Sequence, residues 1–113
     1  MEPLVIDIET DDRSLSMTFD QATVRGSEVL PGVFYQGLIV RKGGDVLSDA
    51  LRFIIDGSIA LEINLLSNWL YDKVKGRPRP TQIRIRRKIV EKVTPEGIER
   101  VIREEIEGPI NRD

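Results

Sequence analysis

The sequence predicts a small α+β domain with a mostly antiparallel sheet, in the order β-β-β-α-β-α. This sheet is expected to pack on one long apolar helix and a C-terminal amphipathic helix. Two observations predict this class: short strand-like segments separated by turn residues fill the first forty positions, and two helical patterns follow. The chain has 113 residues, of which 40% are hydrophobic, which suits one domain over 1–113 with a single core.

Three segments in the first forty residues have the pattern of strands. "LVIDI" at 4–8 is short and apolar, and "SLSMTF" at 14–19 alternates strictly between apolar and polar side chains, which predicts a half-buried strand. After a turn at 30–32, "VFYQGLIV" at 33–40 predicts a third strand, in which Gly37 is a candidate β-bulge.

The longest predicted element is a helix over 46–76. The segment is apolar over most of a helical circumference, and Gly76 with the following "RPRP" would end it. Gly57 and Ser58 offer a point at which it could divide into two shorter helices. The acidic and amide side chains inside 53–71 argue against a membrane-spanning helix.

The C-terminal third predicts a strand or tight hairpin followed by a helix. Residues 81–93 form either one long strand or a hairpin that turns at Arg86 and Arg87. In the following segment Thr94 is a candidate N-cap and Pro95 suits the first helical position. Four apolar residues define the expected buried stripe of this helix: Ile98, Val101, Ile102 and Ile106.

Composition limits the chemistry that the chain can perform. The sequence contains no cysteine and no histidine, so it lacks the usual thiolate ligands, the imidazole ligand and the commonest general base. The N-terminus carries acids and no basic region of the signal-peptide type. We therefore expect a non-enzymatic cytoplasmic protein that needs no cofactor and no metal.

One short motif favours a different function. Asp7, Ile8, Glu9 and Thr10 spell "DIET" at the end of the first strand, which resembles the first motif of the DEDD exonucleases. The resemblance implies a metal-dependent nuclease, in which both carboxylates would hold metal ions. The alternative is that Asp7 and Glu9 line the solvent face of a strand whose other face is apolar.

The apolar surface of the long predicted helix suggests self-association. A thin sheet and one short helix would leave part of it uncovered, so a twofold homodimer is favoured over complete burial within the monomer. Glu62 falls on the apolar side and would need a partner, either an arginine of the basic segment such as Arg84 or Arg87 or a residue of the second copy in the dimer. The predicted interface comprises Leu51, Ile54, Ser58, Glu62, Leu65 and Trp69.

Charge is unevenly distributed along the chain. The segment 73–92 contains nine basic residues and one acid, although the whole chain has a net charge of −2. Together with Arg41 and Lys42 in a glycine-containing loop, this segment could contact an anion or a nucleic acid. The candidate contacts are Arg41, Lys42, Lys75, Arg77, Arg79, Arg84, Arg86 and Lys88.

The alternative for the same charges is internal pairing with the acidic helix that follows. On balance we expect a regulatory or inhibitor-like protein that self-associates through its long helix and binds a macromolecular partner, most simply another protein. Nucleic-acid or phosphate-ligand binding through 73–92 is the second hypothesis, and the metal-dependent nuclease is the third.

Overall fold

The computed structural model describes residues 4–40, 49–56, 62–77 and 80–107. Within these ranges the chain is α+β, as predicted, with six strands and three helices. The strands are β1 (Leu4–Thr10), β2 (Glu28–Leu30), β3 (Val33–Val40), β4 (Asp49–Ile55), β5 (Thr81–Ile85) and β6 (Lys88–Ile89). The helices are α1 (Arg13–Ala22), α2 (Ile63–Val74) and α3 (Pro95–Glu107).

The strands form one antiparallel sheet in the order β2-β3-β4-β1-β5-β6. Strand β1 lies near the centre, between β4 and β5, and begins where the first strand was predicted. Strand β3 has the predicted bounds. Its register against β4 shifts between Tyr35 and Gly37, and Gly37 has a φ of +125°, so the predicted bulge is confirmed.

The prediction of a strand over 14–19 is wrong, because these residues belong to helix α1. The side chain of Asp12 accepts hydrogen bonds from the backbone N–H groups of Ser14 and Leu15, which caps the helix. Leu15 and Phe19 are four residues apart, a spacing that satisfies both a strand and a helix. Met17 separates the two interpretations: it is 38% exposed, whereas a strand would have buried it.

The prediction of one helix over 46–76 is also wrong. Its first part contains strand β4 and its second part contains helix α2, while the possible division at Gly57 and Ser58 lies outside the described residues. Strand β4 is paired on both edges, and most of its side chains are buried. A central strand with apolar residues on both faces, as β4 has apart from Arg52, shows no clear period of two, so its sequence resembles a buried helix.

The C-terminal predictions fare better. The hairpin alternative is confirmed: β5 and β6 pair across a turn at Arg86 and Arg87. Helix α3 begins at Pro95, and the Thr94 hydroxyl accepts a hydrogen bond from the backbone N–H of Gly97 at 3.0 Å. Three residues of the predicted stripe are buried, but Ile106 is 37% exposed.

Side chains alternate between the two faces of the sheet, and the core lies on one of them. Phe19 of α1 and Trp69 of α2 contact Phe53 of β4 edge to face. Buried residues of α3 join the same apolar cluster as Ile83 and Ile85 of β5. The described helices thus pack against one face, which we call the helix face. In the described part of the chain, no helix is long and apolar enough to cross a membrane.

Candidate protein interface

The opposite side of the sheet, which we call the outer face, combines a central set of charged side chains with apolar ones beside it. The strand registers place Asp7 of β1 directly opposite Arg52 of β4 and Arg84 of β5. One step along the strands, Glu9 lies opposite Gln82. These residues alternate along their strands with residues of the helix face, so their side chains point away from the described helices.

The charged groups of the outer face form two neighbouring groups of hydrogen bonds. The Arg52 guanidinium donates from Nε to Asp7 Oδ1 at 2.9 Å and from Nη2 to Asp7 Oδ2 at 3.0 Å, a bidentate arrangement. Glu9 accepts from Arg84 Nε at 3.0 Å and from Gln82 Nε2 at 2.7 Å. The hydrogen bond to Asp7 holds the pKa of Arg52 above its ordinary value. We call this set the arginine–carboxylate ladder.

The carboxylates of the ladder are shielded from solvent, whereas its arginines are not. The side chains of Asp7 and Glu9 are 5% and 2% exposed, against 37% for Arg52 and 28% for Arg84. The interpretation of Asp7 and Glu9 as solvent-exposed strand residues is therefore wrong. The long arginine side chains reach the acids from more exposed positions, and part of each arginine stays in contact with water.

This geometry does not favour the metal-dependent nuclease. Each carboxylate of the "DIET" motif already accepts hydrogen bonds from an arginine, and a metal ion would have to displace it. Asp72, which could supply a further acidic ligand, is on α2 and therefore lies on the helix face. Among the described residues, no group of three or more acidic side chains is arranged to hold a metal ion.

Apolar side chains border the ladder on the outer face, at one end and on the side of β3. Val5 of β1, Ile54 of β4 and Phe34 of β3 are aligned across three neighbouring strands. Ile39 lies on the same face, beyond Ala50 of β4. Val5, Phe34, Ile39 and Ile54 are half-buried, so each presents part of its surface to solvent. Protein interfaces are enriched in arginine and aromatic side chains, both of which this face presents, although most interfaces are apolar at the centre and polar at the rim, the reverse of the arrangement here.

The structure separates the residues that were predicted to form a helix interface. Leu51 is on β4 and fully buried in the core, whereas Ile54 belongs to the outer face. Leu65 is on α2 and 45% exposed. Trp69, also on α2, is half-buried within an aromatic cluster of the core. These residues therefore do not share one surface.

The prediction that Glu62 is buried on an apolar helix face is wrong. Glu62 is exposed and lies at the start of α2. Its position gives it solvent contact and removes the need for an arginine partner. Ser58 lies outside the described residues.

The basic segment is largely paired within the chain. Arg77 is 3.8 Å from Asp12, Arg84 is 3.0 Å from Glu9, and Arg86 is 3.8 Å from Glu105. The remaining predicted anion contacts of the described chain also have acidic partners: Lys75 pairs with Asp72, and Lys88 pairs with Glu104. These contacts favour the internal-pairing alternative. Arg41, Lys42 and Arg79 lie outside the described residues.

Sequence reasoning missed the arginine–carboxylate ladder. Its signal was present as acids at alternate positions of β1 and basic residues at alternate positions of the segment that contains β5. The register that aligns them depends on pairings between residues 45 and 75 positions apart, which periodicity does not specify.

Comparisons with protein-family models, with curated proteins and with solved structures each found no match. The functional proposal therefore depends on the geometry of the outer face and on the charges described above.

Proposed function

We propose that this chain is a non-enzymatic binding protein that self-associates as a twofold dimer through the outer face of its sheet. The observation that carries the proposal is the arginine–carboxylate ladder together with the half-buried apolar side chains that border it at one end and on the side of β3. The predicted dimer is retained, but its interface is moved from the helix to the sheet.

The charges of the outer face favour a second copy of this chain as the occupant. Arg52 is paired with Asp7, and Arg84 is paired with Glu9, so the ladder has no net charge. Two such faces can therefore approach each other without a net electrostatic repulsion between them. A strongly charged partner, in contrast, would have to compete with ion pairs that are already formed.

The size of the face suggests a weak dimer. Strands lie about 4.8 Å apart and rise about 3.3 Å per residue, so five strands of five residues cover roughly 400 Å² of flat area. Stable complexes bury about 800 Å² per partner. We therefore expect a dissociation constant in the range of about 1–100 μM, set mainly by the apolar border and not by the paired charges.

Sedimentation velocity over a range of protein concentrations tests the proposal. The wild-type chain should shift from monomer to dimer as its concentration rises, and Ile54→Glu should remain a monomer because it places an unpaired carboxylate within the contact. Phe34→Glu, on the neighbouring strand, should give the same result. Fluorescence of Trp69, the single tryptophan, checks that each variant remains folded.

Leu65→Glu is the matched control, because Leu65 is also an exposed apolar residue but lies on α2 on the other side of the sheet. It should dimerise like the wild type. A wild-type chain that stays monomeric at 500 μM, or folded Ile54→Glu and Phe34→Glu variants that dimerise normally, would overturn the proposal. A monomer produced by Leu65→Glu alone would assign the interface to the helix.

A further inference from the structure

A cleft lies between the β5–β6 hairpin and helix α3, at the edge of the sheet and apart from the dimer surface proposed above. Its volume is about 540 Å³, within the range of about 300–1,000 Å³ that is typical of ligand sites. One wall is the segment from Arg87 to Lys92, and the other is the part of α3 that contains Arg100 and Glu104. The cleft is large enough for a few residues of an extended chain.

The cleft has a surplus of positive charge. Arg87, Lys88, Lys92 and Arg100 line it, against two acids. One of these acids, Glu104, accepts a hydrogen bond from Lys88 and lies 3.6 Å from Arg100, so its charge is already engaged. The other, Glu91, is exposed beside Lys92. The surplus favours an anionic occupant.

The cleft also has an apolar component. Val90 and Val101 line it and are only 3% and 8% exposed, while Ile89 lies at its edge and is 39% exposed. Its lining residues include no aromatic side chain, so the cleft offers no surface on which a nucleic-acid base could stack. An apolar base with cationic walls suits a peptide that carries an apolar side chain between acids.

Contacts on both sides hold the walls of the cleft in place. Arg86, beside Arg87 in the hairpin turn, has a φ of +56°, and its Nη1 donates to the backbone carbonyl of Glu105 in α3 at 3.1 Å. At the other wall, a Cβ added to Gly97 would lie 2.0 Å from the carbonyl oxygen of Lys92. The backbone of the loop thus approaches that of the helix closely. Such constraint reduces the entropy lost on binding.

We propose that this hairpin–α3 cleft binds a short acidic segment of a partner protein, with one apolar residue of that segment directed towards Val90 and Val101. Arg87 and Lys92 contact the acidic side chains, since no acidic partner is recorded for either in the described part of the chain. The cleft meets the outer face at Ile89, which lies opposite Arg84 in the strand register. The proposed dimer contacts Phe34 and Ile54 are on β3 and β4, with β1 and β5 between them and β6, so a dimer could present two such clefts.

Fluorescence anisotropy with a labelled five-residue peptide of four glutamates around a central leucine tests the proposal. We expect saturable binding that weakens as salt is raised. A peptide with alanine in place of the leucine should bind several-fold more weakly. The double variant Arg87→Glu with Lys92→Glu should lose about 10-fold or more in affinity, because it replaces attraction by repulsion. The variant Arg13→Glu reverses an exposed charge on α1 and is the matched control.

The outcomes separate this proposal from its alternatives. Binding of the leucine peptide that is lost in the double variant and retained in Arg13→Glu would support it. Equal loss of binding in the double variant and in Arg13→Glu would show that only the overall charge matters, and would overturn the proposal. Equal binding of the leucine and alanine peptides would also overturn it. Tighter binding of single-stranded RNA of matched charge would assign the cleft to nucleic acid and also overturn it. Ile54→Glu should bind the peptide normally, so failure of the dimer leaves this test intact.

Discussion

Removing Arg52 and removing Asp7 should each destabilise the fold, but to different extents. The two side chains differ in solvent exposure, 37% for Arg52 and 5% for Asp7. Arg52→Ala removes the bidentate donor from a carboxylate that water hardly reaches. Asp7→Ala removes the carboxylate from a guanidinium that can extend into solvent. We therefore expect the loss of the arginine to cost more than the loss of the acid.

The magnitude follows from burial. Breaking a fully buried ion pair costs about 3–5 kcal/mol, most of which is the penalty of leaving one charge without its partner. Asp7 is close to that limit but still lies opposite Arg84 in the strand register, so Arg52→Ala should cost about 3 kcal/mol. Arg52 is partly hydrated already, so Asp7→Ala should cost about 1 kcal/mol, the net value of ordinary hydrogen bonds.

Urea denaturation followed by Trp69 fluorescence measures both variants. The control is Arg100→Ala, because Arg100 is 81% exposed and its ion pair with Glu104 should contribute about 0–1 kcal/mol. For a domain of this size, 3 kcal/mol corresponds to a fall in melting temperature of roughly 10 °C or more. Equal costs for Arg52→Ala and Asp7→Ala, or a larger cost for the acid, would refute the argument from desolvation.

Three further predictions follow from other contacts. Gly97→Ala should destabilise the chain by about 1–3 kcal/mol in urea denaturation, although alanine favours helices, because its Cβ would lie 2.0 Å from the Lys92 carbonyl oxygen. Ser16→Ala should cost about 2 kcal/mol by the same assay, since Ser16 donates at 2.6 Å to the buried Asp49, whose other carboxylate oxygen lacks a partner in the described structure. Burial is the larger cause, and the hydrogen bond to the Asp20 carboxylate the smaller one, of a pKa of Tyr35 that lies above its ordinary value of 10.0. The unfolded chain then releases this proton first, so the free energy of unfolding should fall above pH 10 in wild type and less in Tyr35→Phe.

The sequence predicted correctly where a local signal specified the structure. Thr94 and Pro95 identify the start of α3, and the turn before β3 together with Gly37 identifies that strand and its bulge. Each of these signals acts over a few residues, through a cap, a turn or a glycine at positive φ. Such signals do not depend on how distant parts of the chain pack.

Prediction was wrong where two structures share one pattern. Leu15 and Phe19 fit a strand and a helix equally well, and the capping hydrogen bonds from Asp12 decide in favour of the helix. The β4 sequence carries apolar residues on both faces, and only Arg52 interrupts the run from Ala50 to Ile55, so its period gave little indication of a strand. The outer face could not be predicted at all, because it depends on registers that place residues of β1, β4 and β5 side by side.

The uneven charge of the sequence now has a structural explanation. The basic hairpin lies between two acidic elements: Arg84 reaches back to Glu9 on β1, while Arg86 reaches forward to Glu105 on α3. Arg86 donates to a backbone carbonyl in the last turn of α3, where a positive charge interacts favourably with the helix dipole. This contact also helps to hold Arg86 at a positive φ that is uncommon for a residue with a side chain. The charge separation along the sequence is thus mostly brought together by folding. Arg87 and Lys92, two of the cations that lack an acidic partner in the described structure, line the proposed peptide cleft.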